Sequence, residues 1–214
     1  MHERGFNAWY LSRIANPRTV FDIGVGNGTY ALYEAFPDAR FILVEPVREY
    51  ARVIDEISSK YDCRVYYNAV GAVPGRLEFQ VDTTDPEKSS FESREQLTVR
   101  DHEIEKREIE VITLDSILCD LQEIEKPVLV KIDTEGHEIS ALRGATRLLE
   151  ITDMVIAEVS VARRFVGGYS FEDMILFMKD HGFQVADILA IAHADGELKP
   201  RHMDVVFIRS DASA

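Results

Sequence analysis

Val20-Phe21-Asp22-Ile23-Gly24-Val25-Gly26-Asn27-Gly28-Thr29-Tyr30 is a β-branched and aromatic run that ends in an acid, with glycines at alternate positions behind it. The run predicts a buried strand over Thr19–Ile23 and a helix from about Thr29 to Phe36, stopped by Pro37. Glycine at 24, 26 and 28 lets the backbone turn sharply and lets a ligand approach where a Cβ would collide. The helix end beyond it favours the anionic part of a ligand. Tight strand-to-helix turns need glycine anyway, so the spacing has to discriminate. The dinucleotide fingerprint G-x-G-x-x-G would place its third glycine, or an alanine, at position 29, which is Thr29. The third glycine is instead Gly28, and Asp22 stands two residues before the first. A carboxylate there repels a pyrophosphate and attracts an amine. A ligand with an amino-acid end beside a nucleoside fits better than a dinucleotide.

Glu45 supports that choice. It lies 23 residues after Asp22, closing a second buried strand, Phe41–Val44, with Pro46 behind it. A carboxylate there can accept both hydroxyls of a ribose and rejects a 2′-phosphate. A helix of roughly Val47 to Ser59 follows, then a third strand, Arg64–Ala69. Further strands are expected at Leu77–Val81, Glu108–Thr113, Val128–Ile132 and Met154–Val159, with two more near Val185–Ala192 and Asp204–Ile208. Helices are expected over Ile139–Leu149 and Phe171–His181. Strands alternating with helices define an α/β fold with a parallel sheet covered on both faces. The last two strands leave no room for a helix, so the final strand should enter antiparallel.

The 214 residues suit one domain, 1–214, with a helical N-terminal segment (1–17) and a charged insertion or lid (82–107). Half of the positions in that insertion are charged, and long excursions in compact domains are often functional. Lys and Arg total 24 against 38 Asp and Glu, a net charge of −14, which disfavours nucleic acid as partner. Two cysteines, Cys63 and Cys119, read as reduced thiols. No apolar run approaches the ~18 residues of a membrane span, which points to a soluble, cytoplasmic protein.

The turn from Asp22 to Gly28 and the acid Glu45 resemble those of class I S-adenosylmethionine-dependent methyltransferases. A more specific resemblance lies downstream, in Thr113-Leu114-Asp115-Ser116-Ile117-Leu118, Val130-Lys131-Ile132-Asp133-Thr134-Glu135-Gly136-His137-Glu138 and Ala141-Leu142-Arg143-Gly144-Ala145, with Ser89-Ser90-Phe91 between. These are similar to the FkbM family, from about Val20 to the C-terminal strand. The resemblance implies a Rossmann-like class I methyltransferase sandwich with a mostly parallel seven-stranded sheet. It also implies methyl transfer from S-adenosylmethionine to a hydroxyl of a small acceptor, such as a saccharide or glycosylated metabolite. N- or carboxyl-methylation, and a non-catalytic nucleoside-binding protein, are the alternatives on the same fold.

On this reading Asp22 holds the donor's amino end and the backbone at Gly24, Gly26 and Gly28 wraps its middle. Glu45 holds the ribose and Asn68 lies beside the adenine. Ligands of open parallel sheets sit outside the carboxyl ends of the strands. Asp133 ends one strand there and Glu158 nearly ends the next, so both acids point to one crevice. Asp133 is the first candidate to orient the acceptor hydroxyl or take its proton, and His137 the second, because imidazole titrates near neutrality. Glu135 and Glu138 are placed to cap the following helix. An acid pair such as Asp133 and Glu158 could hold a divalent cation, but no full ligand set is readable and none is assigned. Arg163 and Arg164 are either a clamp for an anionic acceptor or exposed arginines on an acidic surface.

Overall fold

The computed structural model describes residues 4–82, 104–162, 165, 168–193, 196 and 198–210. In chain order the elements are α1 (Ala8–Ile14), β1 (Thr19–Ile23), α2 (Tyr30–Ala35), β2 (Arg40–Val44), a 3-10 turn at Arg48–Tyr50 that leads into α3 (Ala51–Ser58), β3 (Cys63–Tyr66), β4 (Ala69–Val70), β5 (Gly75–Asp82) and β6 (Ile104–Ile112). Then come α4 (Leu114–Asp120), β7 (Val128–Ile132), α5 (Glu138–Arg143), α6 (Thr146–Ile151), β8 (Met154–Ser160), α7 (Phe171–Asp180), β9 (Phe183–His193) and β10 (Pro200–Arg209).

Seven strands form one sheet in the order β3-β2-β1-β7-β8-β10-β9. The first five of that order run parallel, and β10 is antiparallel to both β8 and β9. The antiparallel final strand of the sequence reading is therefore present. Register assigns the two faces. Val20, Phe41 and Leu129 align on one, and α1, α2 and α3 cover it with Leu11, Leu32, Tyr33, Ile54 and Ile57. Phe21, Ile42, Val130 and Val155 align on the other, beneath Leu114, Leu142, Leu148, Met174 and Met178 of α4 to α7. Because both faces are covered, β1 and β7 are buried at every position, which is why they read as largely apolar runs whose charged members, Asp22 and Lys131, stand 3.4 Å apart.

Three expected boundaries move for tertiary reasons. The expected third strand divides: Cys63–Tyr66 stays in the main sheet, while Ala69–Val70 pairs with Val111 and Ile112 in a second sheet of order β4-β6-β5. Residues 104–107 of the charged segment belong to β6 and Asp82 ends β5, while 83–103, the rest of the proposed insertion or lid with Ser89, Ser90 and Phe91, lie outside the described residues. The helix expected over Ile139–Leu149 breaks between α5 and α6 at Gly144. A Cβ on Gly144 would stand 2.1 Å from the Gly71 carbonyl oxygen, so the chain must pass there without a side chain. The Asp115 carboxylate accepts from Arg147 N (3.1 Å) and Leu148 N (2.9 Å), starting α6 afresh. The Asp115 and Gly144 motifs thus hold helices together.

The N-terminal segment is helical as expected. Asn7 caps α1, accepting from Tyr10 N at 3.0 Å, and Leu11 is fully buried. The Tyr10 hydroxyl donates to the Asp187 carboxylate on β9, and Arg4 Nη2 lies 3.1 Å from it. These contacts pin the segment across the sheet and leave Phe6 against the crevice described below. Among the described residues, no helix is long and apolar enough to cross a membrane.

Candidate active site

The chain winds outward through β1, β2 and β3, then returns to the other side of β1 with β7 and β8. A crevice of about 570 Å³ opens at the carboxyl ends of these strands, at the reversal of strand order. That volume suits a nucleoside-sized ligand with an amino-acid tail, since small-molecule sites run from about 300 to 1,000 Å³. Its wall includes Gly24, Gly26, Gly28, Glu45, Asn68, Asp133, His137 and Glu158, so the crevice brings together eight of the nine residues singled out from the sequence.

The ninth, Asp22, lies beneath the glycine turn. Its side chain is fully buried. Oδ2 accepts from the Tyr33 hydroxyl at 2.5 Å and Oδ1 from the Thr29 hydroxyl at 3.2 Å, and Lys131 Nζ stands 3.4 Å from Oδ1. Asp22 pairs within the ladder to Leu43 on one side and Lys131 on the other, so its side chain points into the face covered by α1, α2 and α3. It supports the turn from below. Lys131 Nζ also donates to the Gly24 carbonyl at 2.7 Å and lies 3.9 Å from Asp133 Oδ2. Burial opposes the charge on Lys131, yet Asp22 and Asp133 outweigh it and hold the pKa above its ordinary value. One ammonium therefore ties β1, the glycine turn and the end of β7.

Glu45 joins β2 to the same turn. Its Oε2 accepts from Gly26 N at 2.9 Å and Oε1 from Val47 N at 2.8 Å. Each carboxylate oxygen keeps a further lone pair for a ligand hydroxyl. Burial raises its pKa to about 7 against those two bonds. Asn68 is held by its side-chain N–H donated to Glu110 at 3.1 Å, on the second sheet.

The loop from Asp133 to His137 is shaped by Glu138, the first residue of α5. Glu138 Oε1 accepts from Thr134 N (2.8 Å) and Gly136 N (3.0 Å), and Oε2 accepts from the Tyr169 hydroxyl at 2.6 Å. It folds back onto the loop before the helix, where the sequence reading had it capping α5. Glu135 and Gly136 both have left-handed backbones, φ 52° and 97°, and a Cβ on Gly136 would strike the Phe165 ring. A non-glycine residue at positive φ stores strain that this hydrogen-bonded frame sustains. The result sets Asp133, Glu135 and His137 along one wall of the crevice.

Sequence reasoning missed Asp204 of β10, which lines the crevice directly opposite Glu158 in the β8–β10 register. The available signal was one acid inside the apolar run Met203-Asp204-Val205-Val206-Phe207. Arg163 and Arg164 lie outside the described residues. Among the described residues, no three His, Cys, Asp or Glu side chains group as a metal-ligand set.

Burial pushes three crevice or loop acids, Glu45, Glu138 and Asp204, up to about 7. An acid whose pKa is higher folded than unfolded contributes stability below its unfolded value, and this is lost as pH rises through the folded value. The unfolding free energy from urea titration should therefore fall as pH rises from about 4.5 to 7, by up to about 1.4 kcal/mol per pH unit for each group. Glu138→Gln should flatten this slope. An equally steep slope in that variant would show that Glu138 does not titrate in this window.

The fold is that of class I methyltransferases. It is similar to magnesium protoporphyrin IX methyltransferase (ChlM) from Synechocystis PCC 6803 with bound SAM, at 14% identity over 95% of this chain and 76% of that one, TM-score 0.51. The same enzyme with bound SAH gives 13% identity over 95% and 79%, TM-score 0.50. Residues 22–185 match the methyltransferase FkbM domain, and the chain belongs to the FkbM methyltransferase family. It is also 43% identical over 42 residues to the hexuronic acid methyltransferase AglP of Haloferax volcanii, a match over 20% of this chain and 18% of that relative.

Proposed function

We propose that the protein is an S-adenosylmethionine-dependent methyltransferase that acts on a hydroxyl of a small, neutral, saccharide-like acceptor. The observation that carries this is the crevice at the strand-order reversal. There a glycine turn and a buried acid, Glu45, meet a floor of carboxylates. The backbone at Gly24, Gly26 and Gly28 passes against the middle of the donor, and the free lone pairs of Glu45 receive its ribose hydroxyls. Asn68 stands at the adenine end. Asp22 acts through Thr29 and Lys131, fixing the turn from beneath. The donor supplies an activated methyl group on a positively charged sulfur.

Asp133, His137 and Glu158 occupy the acceptor end. Holding an oxygen in line with the methyl carbon can supply about 7–11 kcal/mol of barrier lowering, and removal of its proton roughly 10²–10⁴-fold in rate. The carboxylates repel an anionic acceptor, which favours a neutral hydroxyl over a carboxylate as methyl acceptor. The short match to a hexuronic acid methyltransferase supports the saccharide class but not the neutrality, which rests on the crevice carboxylates, since a uronic acid is itself an anion at neutral pH.

Transfer of a tritiated methyl group to panels of neutral saccharides, uronic acids and amines tests the proposal. Base-stable label on a neutral saccharide is expected. Label confined to nitrogen or to base-labile esters would overturn it.

A further inference from the structure

Five ionisable side chains meet at one end of the α1–α3 face of the sheet: Lys131 and Asp133 of the β7 end, Glu158 of β8, and His202 and Asp204 of β10. All but His202 line the crevice already described. The two groups able to carry positive charge sit against other acids. Lys131 Nζ is 3.4 Å from Asp22 and 3.9 Å from Asp133, and His202 Nε2 is 3.4 Å from Glu158 Oε2. Across the β9 side, Asp204 faces Ala190, which adds no charge. Asp204 thus stands among carboxylates with the nearest ammonium committed elsewhere. Burial first, then Glu158 and Asp133, push its carboxyl up to about 7, with Lys131 pulling the other way.

We infer that Asp204 is the group that takes the proton of the acceptor hydroxyl, and that a cation entering the crevice expels any proton already on it. The inference rests on the methyl-transfer reading above and adds the proton's destination. A positive charge brought among these acids lowers the proton affinity of each, and a carboxyl that titrates near neutrality loses its proton at working pH. Asp204 is thereby an ionised carboxylate when an acceptor arrives. The acceptor O–H bond then breaks and an O–CH3 bond forms. The S–CH3 bond breaks with its electron pair left on sulfur, and the proton goes to the Asp204 carboxylate. That step also removes the positive charge from the crevice, so the affinity of Asp204 for a proton rises at the moment one is delivered. The proton leaves to solvent before the next cation enters.

The test is calorimetric titration of the whole chain with S-adenosylmethionine at several pH values, in phosphate and in Tris. The difference in buffer ionisation enthalpy counts protons released. Near pH 7 about half a proton per site should be lost from Asp204 on binding, because a group titrating there is half protonated. The donor's own amine contributes equally to wild type and to Asp204→Asn, so their difference isolates the residue. Glu158→Gln removes a neighbouring negative charge and should move the pH of maximal release down by roughly half to one unit. This arm stands if Asp204→Asn does not fold. Equal release in wild type and Asp204→Asn, or no movement in Glu158→Gln, would overturn the inference while leaving the donor assignment intact. Absence of any S-adenosylmethionine binding by the wild type would instead contradict the reading on which it rests.

Discussion

Gly24→Ala is expected to destabilise the protein by about 2–5 kcal/mol, the sum of overpacking and of a left-handed backbone at a residue with a side chain. The backbone at Gly24 has φ 78°, and a Cβ built there stands 1.7 Å from the carbonyl oxygen of Asp133. That oxygen belongs to the main chain and cannot rotate away. The two segments are fastened nearby, with Asp133 N donating to the Ile23 carbonyl at 3.0 Å and Lys131 to the Gly24 carbonyl at 2.7 Å. A methyl group would force apart the ends of β1 and β7, which carry the two halves of the crevice. If the turn relieves the strain by moving, donor affinity should fall by roughly 30-fold or more. Gly26→Ala is the control. Its Cβ meets nothing within 4 Å, so only the cost of its positive φ, about 1–2 kcal/mol, should appear in the denaturant midpoint. Equal losses for the two variants would mean that close approach of β1 to β7 is not what requires glycine at 24.

Lys131→Met should cost about 3–5 kcal/mol, the range for removing one partner of a buried ion pair. Methionine fills much of the same space, so packing changes little. The loss is electrostatic: Asp22 stays fully buried with only the hydroxyls of Tyr33 and Thr29 against it, and Asp133 and Asp204 lose the cation beside them. This gives the variant a signature in pH. As pH falls and the crevice carboxylates take up protons, the uncompensated charge disappears and the gap from wild type should narrow. Urea unfolding at pH 5 and pH 8 measures it. The same gap at both would mark a packing defect and would remove Lys131 from the electrostatic account.

How legible these features are in the sequence depends on whether their causes are local. The runs Thr19–Ile23 and Val128–Ile132 are strands with the bounds read from sequence, because burial on both faces favours apolar and β-branched residues at all but the paired positions Asp22 and Lys131. The turn glycines and Glu45 are legible because their spacing states a geometric need. The break at Gly144 is not, since the groups packed at it are distant in sequence: the Gly71 carbonyl, 73 residues earlier, and the Asp115 carboxylate at the start of α6. Nor is the second sheet, which depends on two residues, Ala69 and Val70, leaving the main sheet to pair with the end of β6. Asp22 shows the limit most clearly. Its position before the glycines suggests a ligand contact, yet ladder partners on both sides turn it beneath the turn, where its charge is spent on Tyr33, Thr29 and Lys131. Asp204 stands beside Glu158 through the register of β10 on β8, and although the antiparallel strand itself is legible, that register is not contained in composition and periodicity.

The central claim is that the crevice at the glycine turn takes an S-adenosyl ligand whose ribose is held by Glu45. Calorimetric titration of wild type and Glu45→Ala with S-adenosylmethionine, S-adenosylhomocysteine and NADH tests it most directly. Both S-adenosyl ligands should bind the wild type, NADH should not, and Glu45→Ala should weaken both by about 10-fold or more, the worth of hydrogen bonds to a charged group. Binding of NADH, or S-adenosylmethionine affinity unchanged in Glu45→Ala, would contradict it.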